Sequence, residues 1–307
     1  MKKFLSMLIA IITVFMPLAA LAETIDFSVY SLEELLQLQT ALEQAITDKM
    51  RETVATPVTD FIWADNGVEV MLRSYIGTAE EVVIPAEVNG LPVTQIGDSA
   101  FLQNTAIKSL VIPEGVRIIG QSAFQKCYNL ETVVLPRSLE SIGINAFRDC
   151  RSLYRINLEY VPSFGNMCFT NCDSLTGVLR FYAPTLSMMG TFYDCDGITG
   201  IEIYSAQVTI DGNFLYGMAA LEHLYVMADA ELLLKSYPVA NNEQLETVVL
   251  PASTSYAGNS TLFDNCPVVT IYTPAGSWLE SYARENFIPC NTTDYEAMNA
   301  LYALHAE

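Results

Sequence analysis

Hydrophobic positions in this chain recur at a fixed interval. Phe101, Phe124, Phe147, Phe169, Phe192 and Phe214 are 23, 23, 22, 23 and 22 residues apart. Four places before the ring stand Gly97, Gly120, Gly143 and Gly165, and directly before it Ala100, Ala123 and Ala146. Three places after it come Cys127, Cys150, Cys172 and Cys195, and six places after it Ile107, Leu130, Leu153, Leu175 and Ile198. Short β-type runs follow, such as Leu110-Val111-Ile112-Pro113 and Val133-Val134-Leu135-Pro136. A period in the twenties predicts a solenoid, in which each coil buries its apolar side against its neighbours. About nine coils at the 4.7–4.9 Å spacing of paired strands make an array on the order of 40 Å long.

Each repeated residue has a physical reason. Phe fills the convex side, Gly permits a turn that a side chain would obstruct, and Ala lets neighbouring coils approach. The Pro closing several strands (Pro113, Pro136, Pro251, Pro274) has no backbone donor and ends pairing there. Alternation along each strand then sends one set of side chains inward and the next outward. With Ile156 and Leu158 inside, Arg155, Asn157 and Glu159 face out. The same phase puts Gly200, Glu202 and Tyr204 outside, then His223, Tyr225 and Met227. Earlier coils carry Ser109 and Val111, or Thr132 and Val134, at these places. In the coil between, strict phase sends Arg180 inward; a one-residue slip or a bulge that buries Leu179 and Phe181 is expected instead.

The unit Ile-Gly-x-x-Ala-Phe-x-x-Cys-x-x-Leu-x-x-Val-x-Leu-Pro, seen at residues 119–136, resembles the BspA-like leucine-rich repeat of bacterial secreted and surface proteins. The resemblance covers roughly residues 57–290. It implies a leucine-rich-repeat solenoid with a concave parallel β-sheet and an irregular or short-helix convex side. It also implies use in adhesion or binding, with no catalytic residues.

The termini depart from the repeat. Lys2 and Lys3, an apolar run from Phe4 to Leu18 and Ala20-Leu21-Ala22 predict a signal peptide over 1–22, and hence a secreted or cell-surface protein with no stable membrane span after cleavage. Ser31 and Glu34 form a capping box opening a helix to about Met50, which assigns 23–56 to an amino-terminal cap. Asp65-Asn66-Gly67 between apolar runs predicts a hairpin that starts the array over 57–274. Ser277 with Glu280, and Thr293 with Glu296, predict two further helices within 275–307 that close the far end.

Charge and chemistry narrow the function. The chain has a net charge of −20, and without residues 1–22 the balance of 13 basic to 35 acidic residues gives −22. Nucleic acid is thereby disfavoured, since such a partner needs a basic stripe. The seven cysteines either bridge or sit as buried thiols; Cys127, Cys150, Cys172 and Cys195, joined in pattern by Cys266, share one repeat position with Asn104 and Gly217, which favours the thiol, while Cys266 with Cys290 is a candidate closure of the end. Cys168 and Cys172 lack a neighbouring His for zinc, and Asp194-Cys195-Asp196-Gly197 reads as a repeat turn rather than a calcium loop. His223 and His305 are the only histidines, and no spacing marks a catalytic triad. No cofactor is expected. The expected function is non-catalytic binding or adhesion to a protein or glycan at the cell surface or in host matrix, with a scaffold role and a hydrolytic enzyme as rivals. Candidate contact residues are Arg155, Asn157, Glu159, Glu202, Tyr204, His223 and Tyr225, because aromatic and polar side chains replace Ser, Thr and Val there.

Overall fold

The computed structural model describes residues 55–236, 239–258 and 261–305. The predicted leader and the helix from Ser31 to Met50 lie outside the described residues. From Phe61 the chain is a parallel-strand solenoid of about nine turns. It opens on the expected hairpin, Phe61–Asp65 antiparallel to Val70–Tyr75. In its turn Asn66 Oδ1 accepts from the amides of Val68 and Glu69, and Gly67 takes a φ of 82°.

Each of the earlier coils has two strands and a run of turns, and the later coils add a third short strand. The first strands form two parallel sheets, one from Glu81–Val83 to Arg155–Ile156 and the other from Gly177–Phe181 to Cys290–Asn291. The second strands, such as Ile118–Ile119 and Ser141–Ile142, join the hairpin in one eleven-stranded sheet that the periodicity did not single out. The third side is irregular in the earlier coils, as predicted, and in the later ones carries a short three-stranded parallel sheet of Leu215–Tyr216, Val239–Ala240 and Phe263–Asp264. It carries two left-handed residues per coil: Ser99, Ser122, Asn145 and Met167, then Gln103, Lys126, Asp149, Asn171 and Asp194. Asp194, the calcium-like position, is therefore a regular member of the turn series.

The core is a column of rings. Phe61, Tyr75, Phe101, Phe124, Phe147 and Phe169 follow one another at centroid separations of 4.9–5.2 Å. Phe192 and Phe214 continue it more loosely, at 5.6 and 6.0 Å. The glycines serve this stacking rather than a left-handed turn: a Cβ on Gly165 would stand 2.6 Å from the backbone of Gly143. The cysteine position is a thiol ladder. Cys127, Cys150, Cys172 and Cys195 each donate to the carbonyl of a Phe in the preceding coil, Phe101, Phe124, Phe147 and Phe169, at 2.9–3.2 Å. All seven thiols are free, Cys266 and Cys290 included. Burial pushes Cys127 and Cys195 up to about 12, so they stay protonated donors.

The carboxy-terminal region divides in two. Helix α1 (Trp278–Glu285), capped by Ser277 Oγ accepting from the Glu280 amide, packs Leu279 and Ala283 into the core. Strand Cys290–Asn291 then pairs with Thr270–Tyr272. Helix α2 (Tyr295–Ala303) does not close the far end as predicted. Its aromatic residues find a second apolar surface on the outer face of the sheet, where Tyr295 and Tyr302 pack with Tyr225 and Val249.

Two outcomes follow. Phe147→Ala, which opens the middle of the ring column, is expected to cost about 3–5 kcal/mol in denaturant unfolding. The unfolding midpoint of the unaltered protein is expected to be the same with and without reductant, because the cysteines stabilise as thiols.

Candidate functional site

The site begins where the closing prolines stop. Strands Ser109–Val111 and Thr132–Val134, followed by Pro113 and Pro136, have three residues. Arg155–Ile156, the first strand without such a Pro, has two, whereas the next, Gly177–Phe181 and Ile198–Ile203, have five and six. Longer strands give the middle coils more outward positions. The expected slip is present: the register shifts between Gly177 and Val178, Phe181 is buried, and Arg180 stands opposite Glu202.

Glu202 is the centre of this face and is only 1% exposed. Arg180 donates to it from Nε at 2.8 Å and from Nη2 at 3.4 Å. The Tyr204 hydroxyl lies 2.8 Å from Glu202 Oε2 and 2.9 Å from the Tyr302 carbonyl, sharing one proton between them. His305 Nδ1 is 3.1 Å from both carboxylate oxygens. His223 Nε2 stands 3.4 Å from Oε1 but is not aligned as a hydrogen bond. Its ring lies against Gly200 on the next strand, in space that a Cβ there would need. Burial alone would raise the Glu202 carboxyl, yet its interactions with His223, Tyr204 and Arg180 outweigh burial and hold it at about 2. Burial and the bond to Glu202 push the Tyr204 phenol well up, so it remains a donor.

Helix α2 roofs this cluster. The Tyr302 ring stacks on Tyr225 at 4.7 Å and 16° and stands 5.5 Å from His223. Tyr225 donates to Asn299 Oδ1 at 2.8 Å, and Tyr182 donates to the His305 carbonyl at 3.1 Å. The Tyr302 carbonyl accepts from the His305 amide at 2.9 Å as well as from Tyr204, and the His305 carbonyl, just past the helix, accepts from Tyr182. Outside the roof the aromatic row continues through Tyr204, Tyr182 and Tyr160 at 5.1 and 5.9 Å, ending with the Arg137 guanidinium 4.9 Å above Tyr160.

The predicted residues therefore divide. Glu202, Tyr204, His223 and Tyr225 converge on the outer face, but α2 covers them, so Glu202 and Tyr225 are buried rather than open as the alternation implied. Arg155 stays half-exposed beside Thr132. Asn157 turns its amide to the Leu135 backbone, accepting from its N–H at 2.7 Å and donating to its carbonyl at 3.0 Å. Its side chain thus completes the sheet instead of presenting to a ligand. Glu159 accepts from the Tyr182 amide through its carbonyl at 2.7 Å. Sequence reasoning missed Tyr182, Asn299, Tyr302 and His305. The heptad Asn299-x-x-Tyr302-x-x-His305 on one helical stripe was the available signal.

Comparison with known proteins agrees with this architecture. Six copies of the BspA type leucine rich repeat region match residues 80–181 and 188–293. Among solved structures, a leucine rich repeat protein of T. pallidum is 21% identical with a TM-score of 0.52, over 78% of this chain and 99% of that one. A leucine rich cell surface protein from Faecalibacterium prausnitzii A2-165 is 18% identical with a TM-score of 0.45, over 74% and 84%. A leucine-rich repeat protein from Bacteroides ovatus ATCC 8483 is 19% identical with a TM-score of 0.34, over 72% and 71%. These likenesses concern the fold alone. No curated protein matches the chain.

Glu202 also sets a pH dependence. Its carboxyl falls from the ordinary 4.5 to about 2 on folding, so its contribution is complete above 4.5 and is lost as pH falls toward 2. The difference is worth about 3 kcal/mol. Glu202→Gln is expected to flatten the loss of stability between pH 4.5 and 2, measured by denaturant unfolding; identical profiles for the two proteins would contradict the assignment.

Proposed function

We propose, from the premise that this chain belongs to the BspA type leucine rich repeat family, that it is an exported, non-catalytic binding protein whose sheet face engages a macromolecule outside the cell. The observation that carries the reading is the connected cluster Arg180, Tyr182, Glu202, Tyr204, His223 and Tyr225, with half-exposed Arg155 on the preceding coil, where other coils carry Ser, Thr and Val. Rings offer a large contact at small entropic cost, and the charged groups give orientation. The leader-like residues 1–22 support export, and the acidity supports solubility and disfavours nucleic acid.

Among the groups that meet at Glu202 are a guanidinium, two imidazoles and a tyrosine hydroxyl. Against the burial that would raise it, His223, Tyr204 and Arg180 together hold Glu202 ionised, which suits recognition better than proton transfer near neutrality. A second reading, a structural module of a surface assembly, draws on Phe287, which is 95% exposed beyond α1.

The test is a binding screen of the chain from residue 23 onward against matrix proteins and glycans, alongside an Arg155→Ala/Tyr182→Ala variant. A ligand whose affinity falls at least tenfold in the variant supports the face. Unchanged affinity in a folded variant would move the contact elsewhere, and an empty screen would favour the structural module.

A further inference from the structure

The roof over Glu202 differs from the rest of the molecule in how it is held. Helix α2 belongs to an apolar cluster of its own, separate from the ring column. It has nine residues, below the length at which an isolated helix is stable, and its N-cap Asp294 makes no side-chain capping bond, its carboxylate accepting instead from Asn291 Nδ2. Leu301 and Leu304 point away from the sheet and are 53% and 69% exposed. The helix therefore exists because the face holds it, and its opening does not require the core to open.

The contacts also follow a rule of register. Tyr182 and Tyr204 occupy equivalent places on adjacent strands, since Phe181 pairs with Ile203. They meet the carbonyls of His305 and Tyr302, three residues apart. Three residues of helix rise about 4.5 Å, and adjacent strands lie about 4.7–4.9 Å apart. The C-terminal end of α2 and the turn after it, running along the array, thus bring one carbonyl to each of these two coils, while on the next coil Tyr225 meets the Asn299 side chain. Two side chains complete the fit: an aromatic ring for Tyr225, and a hydrogen-bond donor for Glu202.

We infer that this face is a receptor for an amphipathic helix of a partner protein, that α2 occupies it in cis, and that the partner helix binds by displacing α2. The inference rests on the reading of this face as the contact surface, and it gives the ligand a chemistry. The partner helix carries an aromatic residue, a His, Lys or Arg three places later, and an amide three places earlier, as Asn299, Tyr302 and His305 do. Because α2 is tethered, it competes at an effective concentration in the millimolar range and suppresses binding in trans.

The probe is a fluorescent peptide with the sequence of residues 292–307, added to the full chain and followed by anisotropy. Two full-chain variants loosen α2: Asn299→Ala/Tyr302→Ala, and Met298→Pro, which breaks the helix through the amide that bonds to the Asp294 carbonyl. Both are expected to bind the peptide at least tenfold more tightly than the unaltered chain, with the unfolding midpoint of the repeat body retained. Adding Tyr182→Phe/Tyr225→Phe is expected to remove most of that gain. Equal affinity for all chains, or no binding to either loosened variant, would overturn the inference. So would a glycan ligand that depends on the face but is unaffected by loosening α2. If the peptide fails while Arg155→Ala/Tyr182→Ala still weakens a ligand found in the screen, only the helix receptor is lost. If that ligand ignores the face, the binding surface itself fails.

Discussion

One spacing governs this molecule: the distance between hydrogen-bonded parallel strands. Every coil must advance by that amount for its amides to pair, and the ring column advances with it at 4.9 Å from Phe101 to Phe124 and from Phe124 to Phe147. The same step presses Gly165 against Gly143, leaving no room for a Cβ, and puts the Cys150 thiol 3.1 Å from the Phe124 carbonyl. Burial of one large ring per coil supplies the main favourable term, and hydrogen bonding fixes how closely the rings come. The repeat residues are thus parts of one solution rather than separate preferences.

The outer face uses that spacing a second time. Over Gly177–Phe181 and Ile198–Ile203 the strands lengthen, and Arg180, Glu202 and Tyr204 stand together. A buried carboxylate is costly unless it is paired and hydrogen-bonded, and Glu202 is both. Helix α2 then lies along the array because its rise per three residues nearly equals the strand spacing. Sheet and helix meet through hydrogen bonds: tyrosine hydroxyls donate to the Tyr302 and His305 carbonyls, and His305 covers the carboxylate.

The repeat was legible in the sequence because its period is enforced by contacts between like residues in successive coils. Phe147, Gly143 and Cys150 each meet their equivalents or near-equivalents one coil away, so their chemistry is visible without knowing the fold. The slip at Gly177 was legible for a related reason, since leaving Arg180 inward would bury a charge while exposing Leu179 and Phe181. The roof was not. Tyr302 and His305 meet residues about 80 to 120 positions earlier through contacts made once, and a contact made once leaves no period. Asn157 was misplaced for a different reason: alternation describes backbone direction, and its amide folds back onto Leu135.

The central claim is that a helix held by the sheet face, and independent of the ring column, covers Glu202. Hydrogen exchange of the full chain, resolved by peptide, tests it most directly. Residues 201–203 and 224–226 are expected to exchange only on global unfolding, while residues 295–303 are protected but exchange faster, as a separate unit. Exchange of both regions at one rate would contradict the independence of the helix, and an unprotected 295–303 would contradict its presence on the face.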